Sequence, residues 1–177
     1  MSSIAAKIIA VHRSFEAQRI PHAFGGALAL AWCTAQARGT IDIDVNVFVD
    51  SSRAAQVLAA LPDEVAWAAA DEGALLRDGQ VRVWWETTPI DLFLNTAEFH
   101  EDAALRALRQ RFDGVDVPFL SCTDLAVFKA FFNRTKDWAD IEAMVEMKTL
   151  DLERVIGVLT RYLGGDDDRV ARFITLL

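Results

Sequence analysis

Thr40-Ile41-Asp42-Ile43-Asp44-Val45-Asn46-Val47-Phe48-Val49 alternates polar and apolar side chains. A period of two is the mark of a β-strand with one buried face. Residues two apart on a strand project from the same side. The pattern therefore puts Ile41, Ile43, Val45 and Val47 in the core and Asp42 and Asp44 together on the opposite face. Two like charges side by side oppose each other's ionisation unless a cation neutralises them. Mg²⁺, which takes a few carboxylates together with phosphate oxygens, suits such a pair.

Upstream of this strand, Ile4, Ile8, Val11 and Phe15 repeat at helical spacing from about Ser3 to Arg19, and Pro21 ends the run. Ala23-Phe24 leads into Gly25-Gly26, and Ala27 to Ala37 reads as a second helix. Downstream, Ser51 or Ser52 is placed to cap a third helix that reaches about Leu61 and stops at Pro62. Val65 to Ala70 fits helix or strand. Gln80 to Glu86 and Ile90 to Asn95 read as two strands of a hairpin joined by Thr87-Thr88-Pro89. Helix returns at Ala103 to Arg109, and Val115 to Phe119 suits an edge strand, where Pro118 is tolerated.

Beyond residue 120 the periodicity is helical throughout. Ser121 to Asp124 supplies N-cap residues for Leu125 to Asn133, followed by helices over Asp137 to Lys148, Asp151 to Leu163 and the C-terminus. Asp166 to Asp168, after Gly164-Gly165, read as helix-start acids rather than a metal site. The fold class expected is α/β (α+β): a small mixed or antiparallel sheet flanked by helices over residues 1–120, with a helical C-terminal part over 121–177.

The chain has 177 residues, 53% of them hydrophobic, enough for a substantial core and too many for a disordered protein. Its formal charge of −8 comes without any Lys/Arg cluster, which argues against a footprint for duplex DNA. Cys33 and Cys122 lie far apart in sequence and lack metal-ligand spacing, so each reads as a buried thiol in a reducing compartment. The N-terminus lacks a signal-peptide pattern and no apolar run would span a bilayer, so a cytoplasmic location is expected. His12, His22 and His100 are scattered and read as surface or structural residues, not catalysts.

Four short segments carry the chemistry. Gly25-Gly26 before a helix lets a phosphate approach free backbone N–H groups, although alone it is usually just a turn. Arg38-Gly39-Thr40-Ile41-Asp42-Ile43-Asp44 holds the paired acids. Asp91 interrupts the apolar run Pro89-Ile90-Asp91-Leu92-Phe93-Leu94, in a position where Asp is disfavoured. Lys129 then precedes Arg134-Thr135-Lys136-Asp137-Trp138-Ala139-Asp140, whose two acids share a helix face.

In combination these segments resemble the nucleotidyltransferase superfamily with the DNA polymerase β-like fold. More narrowly, Gly25-Gly26-Ala27-Leu28, the Arg38 to Asp44 segment, and Lys129 with Arg134 to Asp140 resemble the AbiEii/AbiGii toxin-type nucleotidyltransferases. The resemblance spans roughly residues 22 to 145, and the chain is short for a full toxin of that group. It implies transfer of a nucleoside monophosphate from a nucleoside triphosphate to an acceptor hydroxyl. Asp42, Asp44 and Asp91 would hold Mg²⁺ (or Mn²⁺), and Asp91 would also help activate the acceptor. Gly25, Gly26, Arg38, Thr40, Lys129, Arg134 and Lys136 would bind the nucleotide, with Asp137 and Asp140 in support.

The acceptor stays open between an RNA end, a protein hydroxyl and a small molecule such as an aminoglycoside. A toxin role would add an antitoxin partner. The alternative is a non-catalytic nucleotide- or partner-binding module of the same fold. One ring of Trp84-Trp85 is expected in the core and the other outside it, since neighbours on a strand face opposite ways. Lys129 is expected to reach the triphosphate and, without ligand, to pair with one of the strand acids.

Overall fold

The computed structural model describes residues 2–36 and 39–177. Arg38, expected above to touch the nucleotide, lies outside the described residues. In chain order the elements are α1 (Ile4–Ala17), β1 (His22–Phe24), α2 (Gly26–Thr34), β2 (Ile43–Asp50), α3 (Ala54–Ala59), β3 (Val65–Ala66), α4 (Ala69–Asp78), β4 (Gln80–Trp85), β5 (Thr88–Asn95), α5 (Phe99–Arg106), β6 (Leu108–Phe112), β7 (Val115–Phe119), α6 (Cys122–Phe132), α7 (Thr135–Glu146), α8 (Leu152–Leu163) and α9 (Asp168–Ile174). They fall into two units, Met1–Ala27 with Gly39–Leu120, and Leu28–Arg38 with Ser121–Leu177.

The first unit carries a mixed sheet in the order β3-β4-β5-β2-β1-β7-β6. β2 runs parallel to β5, and β1 parallel to β7; the remaining pairs are antiparallel. Ile43, Val45 and Val47 of β2 and Ile90, Leu92 and Leu94 of β5 are all buried, as period-two strands require. Each such side chain contributes about 1.5–3 kcal/mol by leaving water. α1 buries Ile8, Val11 and Phe15. Its Lys7, 2% exposed, donates to the Trp85 carbonyl, Glu86 and Thr88, which ties the helix to the β4–β5 hairpin.

Several expectations change. Ile41 is 75% exposed, not in the core, because β2 starts only at Ile43. The Thr40 hydroxyl accepts from the Asp42 N–H at 3.2 Å and closes a local turn that ends the alternation. Asp50, not Ser51 or Ser52, caps the short 3-10 turn before α3, its carboxylate accepting from the Ser52 N–H. The ambiguous stretch after Pro62 splits into β3 and α4, and α5 ends at Arg106 so that Arg109 sits in β6. β7 is internal, and β6 is the edge. The hairpin turn is Glu86-Thr87, with Glu86 in the left-handed region at φ 54 and Pro89 inside β5 opposite Trp84. Trp85 is buried and Trp84 is 46% exposed.

The second unit is helical. Ser121 caps α6 by accepting from the Asp124 N–H. Its interior includes Ala126, Val127 and Ala130 of α6, Ile141 and Met144 of α7, Val155 and Leu159 of α8, and Phe173 of α9. Cys33 and Cys122 are joined in a disulfide within this unit, which corrects the expectation of two free thiols. The residues are 89 apart in sequence, but α2 and α6 bring their Cα atoms to 5.5 Å, within bridging range. Among the described residues no helix is long and apolar enough to cross a membrane.

Candidate active site

Sheet register brings the strand acids together. Asp44 of β2 is the parallel-register partner of Asp91 of β5, and Asp91 is the antiparallel partner of Arg82 of β4. Neighbouring strands lie about 4.8 Å apart, so these three side chains form one row across the sheet. Asp42, just before β2, reaches the same row: its Oδ2 lies 3.5 Å from Arg82 Nη2. The Asp91 carboxylate accepts both arms of the Arg82 fork, at 2.7 Å from Nε and 2.6 Å from Nη2. The guanidinium is held more firmly in its charged form by the Asp91 bonds first, and by the fields of Asp91, Asp42 and Asp44.

The glycine turn extends the row on its other side. The Gly25 N–H donates to the Asp44 carbonyl at 2.9 Å, which stitches the turn at the end of β1 to β2. Gly26 adopts φ +54, a left-handed conformation that side chains resist, and a Cβ there would overlap the Asp44 carboxylate. At Gly25 a Cβ would meet Asn46 Oδ1 at 3.1 Å and Leu120 Cδ1 at 3.2 Å. Gly26 is thus required by its close approach to the acid strand, while a Cβ at Gly25 would need Asn46 and Leu120 to give by a few tenths of an ångström. Asn46, on the Asp44 face, is buried against this turn. Gly26 also begins α2, so free backbone N–H groups start beside the Asp44 carboxylate.

Carboxylate oxygens on adjacent register positions are the donors that Mg²⁺ prefers. Among the described residues no three His, Cys, Asp or Glu side chains are gathered into a ready metal-holding group. Within the row, Arg82 engages both Asp91 oxygens and sets a positive charge beside the acids. The donor set of Asp42, Asp44 and Asp91, all carboxylate oxygens, is chemically suited to a hard divalent cation.

The remaining expected residues form a cluster of their own in the helical unit. Lys129, 8% exposed, donates to Asp140 at 2.7 Å and reaches Asp137 at 3.5 Å. Its ammonium is thus paired with α7 carboxylates, not with the strand acids expected as its partners. Asp137 is fully buried and also receives the Arg134 side chain at 2.6 Å and the Arg134 backbone N–H at 3.3 Å, capping α7. Burial opposes its ionisation, but Arg134 and Lys129 outweigh that and hold its pKa below the ordinary carboxylate range. Lys136 is exposed in the first turn of α7. The Thr40 hydroxyl is engaged with the Asp42 backbone.

All three histidines are buried. His12 Nδ1 and His22 Nε2 are 2.9 Å apart, and His100 Nδ1 lies 3.0 Å from the Thr96 N–H. Burial pushes the pKa of His22 and of His100 down to about 4, which suits structural roles for neutral rings. Arg82 is the one member of the row that the sequence reading missed. Its signal was present: a charged residue alternating with Val81, Val83 and Trp85, on a strand that pairs with the Asp91 strand.

The fold is similar to solved structures of the antibiotic-resistance factor ANT(2'')-Ia. A solution structure matches at TM-score 0.61 and 13% identity, covering 89% of this chain and 92% of that one. A crystal structure in complex with adenylyl-2''-tobramycin matches at TM-score 0.60 and 14% identity, covering 98% of each chain. An antigenic nucleotidyltransferase-like protein from Paracoccidioides brasiliensis matches at TM-score 0.51 and 14% identity, over 97% of this chain and 94% of that one. At such identities the likeness is one of fold. No curated protein matches the sequence significantly. A family model does, over residues 18–173, a span that includes the glycine turn, the acid row and the helical cluster; the chain belongs to the family described as nucleotidyltransferase of unknown function, DUF6036.

Proposed function

We propose that the protein transfers a nucleoside monophosphate from a nucleoside triphosphate to a hydroxyl of a small-molecule acceptor, with Mg²⁺ or Mn²⁺ bound at the acid row. The observation that carries this reading is the register row Asp91–Asp44 with Asp42 beside it, stitched to the Gly25-Gly26 turn. A bound divalent cation would neutralise the phosphate charge and the developing charge on the leaving pyrophosphate.

The chain's own residues supply the rest by positioning, the main protein contribution to phosphoryl-type transfer. The Gly25-Gly26 turn would receive triphosphate oxygens on backbone N–H groups at the start of α2. Asp42 and Asp44 would hold the cation. Asp91, once freed, would take the proton of the acceptor hydroxyl as that oxygen attacks the α-phosphorus. Lys129, Arg134 and Lys136 are proposed to add positive charge toward the phosphates.

A small-molecule acceptor is favoured over a polymer by two facts. The net charge is −8 with no basic stripe for a nucleic-acid backbone. The fold match to ANT(2'')-Ia, whose structure holds adenylyl-2''-tobramycin, runs over 98% of both chains. The narrower AbiEii/AbiGii-type assignment, and with it a toxin role and an antitoxin partner, rests on the sequence segments alone. Nucleoside triphosphate consumption would place the reaction in the cytoplasm, where the Cys33–Cys122 disulfide is an uncommon feature.

The test is turnover. The protein is incubated with each α-labelled nucleoside triphosphate, Mg²⁺ or Mn²⁺, and acceptor pools of aminoglycosides, small metabolites, RNA and protein. Label should move to a small molecule with release of pyrophosphate, and Asp42→Asn, Asp44→Asn and Asp91→Asn should each abolish it. Activity unchanged in these variants contradicts the assignment. Metal-dependent nucleotide binding with no transfer to any acceptor favours the non-catalytic module.

A further inference from the structure

We propose that Arg82 is the resident counter-cation of the acid row, and that a divalent cation binds by displacing its guanidinium from Asp91. The inference rests on the metal site proposed above. Its own observation is the Arg82 fork, which occupies both oxygens of Asp91 at 2.7 and 2.6 Å and extends to Asp42 at 3.5 Å. A bidentate guanidinium–carboxylate pair uses the best-directed lone pairs of the carboxylate. While the pair stands, each Asp91 oxygen already accepts one guanidinium N–H, and the positive charge of Arg82 stands where a cation bound by Asp42 and Asp44 would meet Asp91.

The structure also shows why exchange is feasible. Arg82 lies on β4, whose backbone is fixed by its ladder with β5, so only the side chain has to move. The side chain is 46% exposed whereas Asp91 is 17% exposed, so the arginine can swing to water and the acid stays in place. Val83 and Trp85, on the other face of β4, are buried and anchor the strand through the change. Once displaced, the guanidinium offers five N–H donors in a planar fork, a geometry that matches phosphate oxygens. Nucleotide phosphate would thus give Arg82 a new partner at the moment the metal takes Asp91. The arginine is a positioning residue: it offsets part of the charge of the clustered acids when the site is empty and couples metal loading to nucleotide binding.

The experiment is a Mn²⁺ titration, read by the electron paramagnetic resonance of free Mn²⁺, on wild type, Arg82→Gln, Arg82→Lys and Asp44→Asn, each with and without nucleoside triphosphate. Without nucleotide, Arg82→Gln should bind Mn²⁺ at least about tenfold more tightly than wild type, the scale of one lost charge-assisted pair. Arg82→Lys, which keeps the charge but loses the fork, should fall between them. Nucleotide should narrow the difference, because it already draws Arg82 away. A gain of affinity is not what a damaged fold produces, so a merely structural role would not give this result. Equal or weaker Mn²⁺ binding by both Arg82 variants, with wild-type binding intact and lost in Asp44→Asn, overturns the role of Arg82 and leaves the metal site standing. No Mn²⁺ binding by any of the proteins, with or without nucleotide, overturns both.

Discussion

Gly26→Ala measures how tightly the glycine turn is pressed against the acid strand. Two separate costs follow from the geometry. Gly26 has φ +54, and an L-residue pays about 1 kcal/mol to hold a left-handed conformation. A Cβ at Gly26 would also overlap the Asp44 carboxylate and sit 3.0 Å from Asp44 Cβ. Overpacking of this kind costs about 1–3 kcal/mol. The expected loss is therefore about 2–4 kcal/mol.

Gly114 separates the two terms, since it has φ +82 but nothing within 4 Å of its Cβ position. Gly114→Ala should lose only about 1 kcal/mol, from the left-handed φ alone. Urea unfolding of Gly26→Ala, Gly114→Ala, Asp44→Ala and the Gly26→Ala/Asp44→Ala double variant completes the comparison. Truncating Asp44 opens the space the new methyl needs, so the double variant should recover about 1–3 kcal/mol relative to additivity. A loss in Gly26→Ala no greater than in Gly114→Ala, or additive behaviour of the pair, would refute the close approach on which the site geometry rests.

Lys129→Met leaves the buried Asp140 without its 2.7 Å partner, and breaking a buried pair in this way should cost about 3–5 kcal/mol of stability in denaturant titration, with Asp140→Asn restoring part of it. Nucleotide affinity of the same variant, measured by calorimetry where it remains folded, should fall by a factor of about ten or more if Lys129 serves the triphosphate as proposed. His22 and His100 are held neutral with pKa values of about 4, below the value near 6.5 of an unfolded chain. The sign follows: the unfolded chain takes up the protons first, so stability is complete above the unfolded pKa and is lost progressively as pH falls from about 6.5 toward the folded value of about 4. Unfolding free energy should thus drop by on the order of 1 kcal/mol per histidine between pH 7.5 and 5.5, and a flat profile there would contradict it. Reducing the Cys33–Cys122 bond, or Cys33→Ser, opens a loop of 89 residues and should lower stability by about 2–4 kcal/mol, read as a downshift of the thermal midpoint.

The acid strand was legible because a period of two over Ile43 to Val47 admits few alternatives, and Asp91 stood out as a carboxylate in an apolar strand. The glycine turn gained meaning only beside them. What stayed hidden depended on register. A three-residue loop at 87–89 would set Glu86 opposite Ile90 and Arg82 opposite Leu94, away from the acids. The observed two-residue turn at Glu86-Thr87 shifts the pairing and sets Arg82 opposite Asp91. No local propensity marks that turn, because Glu86 takes a left-handed conformation usually filled by Gly or Asn. The alternation at Ile41 misled for a related reason: a single Thr40 hydroxyl bond replaces ladder pairing there. The disulfide joins helices distant in sequence, and the Lys129–Asp140 pair depends on how the consecutive helices α6 and α7 pack, neither of which period and spacing encode.

The central claim is that Asp42, Asp44 and Asp91 hold the cation that binds the nucleotide. A crystal of the protein grown with Mn²⁺ and a nucleoside triphosphate analogue that cannot be cleaved at the α-phosphate tests it most directly, through the anomalous signal of manganese. The account predicts a manganese peak within ligand distance of Asp42 and Asp44, with phosphate oxygens against the Gly25-Gly26 turn and Arg82 released from Asp91. Nucleotide bound elsewhere, or a bound nucleotide with no manganese at these carboxylates and the Arg82–Asp91 pair intact, would contradict it.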